Sequence, residues 1–215
     1  MFGFNKRTSK PEPKARIGPL GVTVGGSFAV DLFAHKLNPS AWQFAGGGGT
    51  QMLVARGYAD LGDGAELLRY YTDDDWFLQF LMDRDSEVPR EITLYQPFDS
   101  VVLQSPAAWQ QWTGPSGWMR APKFELDDGT VYDRLWFPDE PGSAELVEFE
   151  EDIYLDREER HDRRIHQACM LYHRPVDPAI DASEYLLIGK ESGDDGQSIE
   201  LMVGIDVAPD QLTVF

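Results

Sequence analysis

The chain has 215 residues and a net charge of −18 at neutral pH, with a sequence pI near 4.4. A field of that sign repels phosphate backbones and anionic lipid, which excludes nucleic-acid binding for the body of the protein and points to basic partners or cations. Hydrophobic residues at 42% and aromatics at 12% supply a core for one large domain or two small ones, so disorder over most of the length is excluded too.

Met1 to Pro19 reads as a flexible basic arm. Five cations (Lys6, Arg7, Lys10, Lys14, Arg16) against Glu12 give it +4 and leave −22 for the rest, while Pro11, Pro13 and Pro19 oppose regular structure. Phe2 and Phe4 beside those cations allow at most a peripheral membrane contact. The apolar stretch Ile17 to Ala34 is broken by Asp31 and by five glycines and prolines, so neither a signal peptide nor a membrane span is expected. A single cysteine, Cys169, excludes an internal disulfide and fits a reducing, cytoplasmic setting.

Gly46 to Gly49 marks a loop that matches neither a phosphate-binding loop nor a dinucleotide turn. Beyond it the pattern is strands and tight turns: Gln51 to Asp60, Ala65 to Thr72, Trp76 to Met82 and Glu91 to Gln96, separated by Leu61-Gly62-Asp63-Gly64 and Asp73-Asp74-Asp75. Pro106 to Trp112 is the best helix candidate, with Ser105 as its N-cap. A second series follows: Lys123 to Leu126, Thr130 to Phe137, Glu145 to Leu155, Ile165 to His173, Tyr185 to Lys190 and Ser198 to Ile205, with Leu212 to Phe215 as an edge strand. Asp156 to Arg164 is compatible with a helix.

The pattern predicts a mainly β fold, with α+β the alternative. Antiparallel meanders would form a barrel or a sandwich, with one or two short helices. Residues 20–215 would make one compact domain, divisible into similar β units at about 50–120 and 121–215. An internal echo motivates that division. Asp63-Gly64 and Asp128-Gly129 are both followed by x4-Arg-x-aromatic, which puts Arg69 beside Tyr71 and Arg134 beside Trp136 on single strand faces. These four residues are the candidate binding platform, through cation–π or stem packing.

Chemical motifs are sparse. On a helix, His166, Cys169 and His173 share a face and suit a transition metal, and with it a metal-dependent hydrolase; on a strand, His166 points away from the other two. The clusters Asp73 to Asp75, Asp127-Asp128 and Asp194-Asp195 do not follow the EF-hand pattern and are what tight turns require. Gly-x-Ser-x-Gly is absent, and no catalytic residue or cofactor is expected. Trp109, Trp112, Trp118 and Trp136 are candidates for a binding groove, or for core.

Three stretches together carry a resemblance: Pro19 to Gly26 (PLGVTVGG), Arg69 to Gln79 (RYYTDDDWFLQ), and Asp128-Gly129 leading to Tyr132-Asp133-Arg134-Leu135-Trp136. They resemble the YjfK-like family of bacterial proteins of unknown function. The resemblance implies a genomic setting beside relatives of the phage-shock protein A membrane-remodelling family, and no catalytic residues. The expectation is therefore a binding or adaptor protein, accessory to a membrane-stress system, with a phage-shock-protein-A-like partner.

Overall fold

The computed structural model describes residues 17–46, 49–157, 160–177, 182–194 and 196–215. The basic arm through Arg16 and part of the glycine run lie outside these residues.

Among the described residues, twelve strands form one antiparallel system. After β1 (Ser27–Val30) and the short helix α1 (Phe33–Leu37), a first meander runs through β2 (Gln51–Gly62), β3 (Ala65–Thr72), β4 (Phe77–Asp83) and β5 (Glu91–Val101). Helix α2 (Pro106–Thr113) and the short strands β6 (Lys123–Glu125) and β7 (Val131–Arg134) interrupt it. A second meander follows: β8 (Val147–Tyr154), β9 (His161–Asp177), β10 (Ala182–Gly193) and β11 (Gly196–Asp206), and β12 (Leu212–Val214) ends the chain against β1.

The two meanders close on each other. β5 pairs with β11, and β8 pairs with β2 through Arg56↔Tyr154, Gly57↔Ile153 and Tyr58↔Asp152. The result is an eight-stranded antiparallel barrel, β2-β3-β4-β5-β11-β10-β9-β8, with extra strands outside it. The expected mainly β fold is thus observed, in its barrel form. Steric demand at the turns is visible in the backbone: Asp63 and Asp75 both sit in the left-handed region, at φ 50° and 61°, where a short polar side chain is tolerated.

Two details depart from the sequence reading. Asp156 to Arg164 holds no helix among its described residues; strand geometry begins at His161, because pairing with β8 continues through Arg163, Arg164 and Ile165. That strand also runs past Pro175, which sits at a register shift where the missing N–H costs no regular ladder bond.

Two cores lie on either side of the barrel wall. One cluster draws on all eight barrel strands, with Ala59, Leu67, Phe77, Tyr95, Phe149, Cys169, Leu187 and Met202 among its members, and so fills the lumen. Close approach there requires glycine twice. A Cβ on Gly204 would stand 2.5 Å from the Tyr95 ring, and one on Gly57 would stand 1.8 Å from the Glu151 carboxylate.

The second cluster lies outside the wall, where Leu78, Phe80, Leu94, Met170, Leu186, Ile188 and Val203 meet a jacket. That jacket is built from residues near Val22 to Phe44, from the 102–146 insertion and from the C-terminal residues. Strands under the jacket are buried on both faces, as in Ile92 to Gln96, while β8 alternates buried Phe149, Glu151 and Ile153 with Glu148 and Glu150 in solvent.

Glu184 pins the jacket down. Fully buried on the outer face of β10, it accepts the Phe44 N–H at 2.6 Å, the Tyr132 hydroxyl at 2.7 Å and Arg174 Nε at 2.8 Å. Arg174 in turn donates to the Ala41 carbonyl at 2.8 Å.

Candidate functional site

The two Arg-aromatic pairs do not meet. Arg69 points into the lumen at 4% exposure, and its Nη1 donates to Glu151 Oε2 at 2.9 Å and its Nε to Gln79 at 3.0 Å. Tyr71 donates to the other Glu151 oxygen at 2.6 Å, Gln167 donates to Oε2 at 3.2 Å, and Gln167 also bonds Glu191 at 3.0 Å. The guanidinium lies 4.9 Å from the Phe77 ring centroid. Burial is the largest single influence and works against its charge, but Glu151, Tyr71 and Cys169 together outweigh it and hold the guanidinium protonated.

Arg134 faces the opposite way, into the jacket. Its Nη1 donates to the carbonyls of Arg120 at 2.8 Å and Gly142 at 2.7 Å, and its Nη2 to those of Phe137 at 3.2 Å and Glu140. It therefore clamps the loop that carries Trp136. The Asp-Gly echo falls on β3, the second strand of the first meander, and on β7, which lies outside the barrel. Strand order instead makes β9 the counterpart of β3, so the echo does not mark equivalent strands.

His166, Cys169 and His173 do not converge either. They lie on a strand, which sends Cys169 inward with its thiol pushed up to about 12 by burial, and sends His166 outward. Outside, His166 Nδ1 lies 3.0 Å from Glu150, and His161 lies 3.0 Å from Asp152, which Arg164 and His161 hold below the ordinary carboxylate range. Among the described residues, no group of three His, Cys, Asp or Glu side chains is placed to hold a metal ion.

An arrangement with room for a partner is a cleft in the outer face. It has a volume of about 730 Å³ between the 102–146 insertion and the far end of β5. Its position follows from local chemistry. Ser105 caps α2 by accepting the Ala108 N–H at 3.2 Å, with Pro106 in the first turn, so the helix begins where Trp109 and Trp112 turn toward the barrel.

A single turn at Trp118–Arg120 then returns the chain. It is locked by Arg120 Nε donating to the Thr113 carbonyl at 3.2 Å and by the Tyr172 hydroxyl donating to the Ala121 carbonyl at 3.0 Å. Trp112 meets Trp118 edge-on at 5.2 Å and lies 6.1 Å from Phe124, which packs on Tyr172 at 5.9 Å. Trp118 remains 45% exposed, and Phe98, which lines the same cleft, is open to solvent as well.

Carboxylates ring these aromatics: Asp99, Glu125, Asp127 and Asp128 line the cleft, against one cation, Lys123. That cation is engaged by Asp133 at 2.6 Å. Asp128 accepts the Thr130 N–H at 2.9 Å and the Gln43 amide at 2.6 Å, and these bonds hold its carboxyl below the usual range. An aromatic floor under a negative rim recognises apolar groups that carry positive charge.

Residues 1–213 match the family described as "Protein of unknown function (DUF2491)". The chain belongs to this family. It is also 28% identical over 200 residues to the "Uncharacterized protein YjfK" of Escherichia coli (strain K12), a match that covers 91% of this chain and 89% of the relative. No solved structure matches. The YjfK-like resemblance is thereby shown, and the DUF2491 match takes in both the basic arm and the cleft.

Sequence reasoning named Trp112 and Trp118, and from the lumen Arg69 and Tyr71, but not the buried acids Glu151 and Glu184. The signal was present in this DUF2491 chain. Glu151 occupies the inward register of Val147, Phe149 and Ile153, and Glu184 the outward register of Leu186 and Ile188, which the jacket covers. A carboxylate in an apolar register is a buried acid in need of a partner.

Proposed function

We propose that this DUF2491 protein is a binding or adaptor protein that holds a partner at the Trp112–Trp118–Phe124 cleft and acts beside a bacterial membrane-stress system in the cytoplasm. The observation that carries this reading is an exposed aromatic cleft with an acidic rim on the outside of a barrel whose lumen is already filled by its own side chains. Rims of like charge steer partners of opposite charge and raise association rates. The partner favoured by the family context is a phage-shock-protein-A-like membrane-remodelling protein.

The test is direct titration of the purified protein with that neighbour by calorimetry. Binding that weakens at least about tenfold in Trp118→Ala, and not in His166→Ala, supports the reading. Equal binding by Trp118→Ala, or turnover of a small molecule by the purified protein with no partner bound, refutes it.

A further inference from the structure

We propose that the cleft takes an extended peptide bearing alternating basic and apolar side chains, which adds as a strand to the free edge of β6. This rests on the binding reading above and specifies its partner.

The hydrogen-bond phase of β6 leads to this mode. The Arg134 N–H donates to the Pro122 carbonyl at 2.9 Å, and the Leu126 N–H to the Thr130 carbonyl at 2.9 Å. Between those two bonds, Phe124↔Tyr132 is the hydrogen-bonded pair, and Lys123↔Asp133 and Glu125↔Val131 are the wide pairs. The N–H and C=O groups of Lys123 and Glu125 therefore point away from β7. In the strand order β6 is terminal, so no described strand receives them. Both residues line the cleft, facing Phe98, Asp99 and Val101 on the far half of β5.

Three properties select the occupant. The free edge calls for an extended backbone, since main-chain pairing supplies affinity and alternate side chains supply specificity. Strand alternation then turns every second side chain of that peptide toward Trp112 and Trp118, where apolar groups lose water. The intervening side chains approach Glu125, Asp127 and Asp99, so lysine or arginine is favoured there and an acidic peptide is repelled. β6 spans only three residues and follows Pro122, which limits the register to a short segment and makes pairing between two copies poor.

Fluorescence anisotropy with a labelled seven-residue peptide alternating lysine with isoleucine or phenylalanine tests the proposal on the full-length protein. Two further probes share its length: one with alternate backbone amides methylated, the other with glutamate in place of lysine. The first peptide should bind, weaken in high salt, and weaken at least about tenfold on amide methylation, the effect of losing about two hydrogen bonds. It should weaken likewise against Trp118→Ala, and slow amide exchange at Lys123 and Glu125.

Equal binding of the methylated peptide overturns strand addition while leaving a binding cleft. Equal binding of the acidic peptide overturns the charge selection. If the basic peptide fails to bind but the purified partner binds in a Trp118-dependent way, the proposal falls and the broader reading stands. A dimer of the free protein that the peptide cannot disperse also overturns the proposal, in favour of self-pairing through β6.

Discussion

Replacing Arg69 with methionine tests the account of the barrel interior. Arg69 and Glu151 are 4% and 1% exposed, and their 2.9 Å contact holds together a network that includes Tyr71, Gln79 and Gln167. Removing one member of a buried ion pair leaves the other charge dehydrated and uncompensated, at a cost of about 3–5 kcal/mol. Loss of the guanidinium over Phe77 and Phe149, at 4.9 and 5.5 Å, adds to that cost.

For a chain of this size, each kcal/mol lowers the melting temperature by about 2–4 °C, so a fall of roughly 6–20 °C is expected. The double variant Arg69→Met/Glu151→Leu removes both charges, and exchange of a buried pair for apolar groups is often close to neutral. It should therefore be no less stable than Arg69→Met alone, with a coupling energy of about 2 kcal/mol or more. Urea melts of the four proteins, compared at equal m-value, measure this. An Arg69→Met protein within about 1 kcal/mol of wild type would show that water or another cation serves Glu151, and the sealed-lumen account would be wrong.

Four other outcomes follow from the same geometry. Glu191 has its carboxyl raised above the ordinary 4.5 by burial, against the opposing effects of Gln167 and Arg69. The folded state thus holds this proton more tightly than the unfolded one, and stability falls as pH rises from about 4.5 through the raised value. Glu191→Gln should flatten that fall in a pH series of urea melts; an unchanged slope would refute it. Gly57→Ala puts a Cβ 1.8 Å from Glu151 and should cost about 1–3 kcal/mol or more, read by the same melts. Glu184→Ala should release the jacket before the barrel: amide exchange should speed up at Phe44 and Tyr132 while Leu67 and Phe77 stay protected, and uniform acceleration would count against two layers. Ser105→Ala should cost about 1 kcal/mol through loss of the α2 cap.

Strands with a turn residue at each end were legible because period-two patterning and left-handed turn positions are local. Ala65–Thr72 falls within the bounds that its flanking Asp-Gly and Asp-Asp-Asp turns dictate. β1 was not legible: Ser27–Val30 is four residues long and exists through its pairing with β12 and β2, one of them far along the chain. Closure of the barrel was beyond local reading for the same reason, since three residue pairs between β2 and β8 make the seam. The candidate platform failed to assemble for a different reason. A shared Arg-x-aromatic spacing fixes which residues lie on one face, but the packing of the whole sheet decides whether that face is lumen or jacket. Arg69 went inward because Glu151 waits there; Arg134 went outward because four loop carbonyls converge on it.

This division of labour also says where recognition can vary. β2 to β5 and β8 to β11 pair with each other at both seams, so the barrel closes without residues 102–146. The insertion nevertheless carries α2, Trp112, Trp118 and β6, together with Asp127 and Asp128 of the rim. It is tied to the barrel away from the cleft by Tyr132 donating to Glu184 and by β7 pairing with β9 at Asp133↔His173 and Arg134↔Tyr172. A segment anchored from behind presents its front without strain, and side chains there can change with little effect on closure. The lumen has no such freedom, because Gly57, Arg69, Tyr71 and Glu151 are each fitted to the others. Substitutions that alter partner choice should therefore fall on the exposed Trp118 and the acidic positions of the insertion and leave melting behaviour close to wild type. Substitutions in the lumen should lower stability and, in molecules still folded, leave the cleft's affinity unchanged.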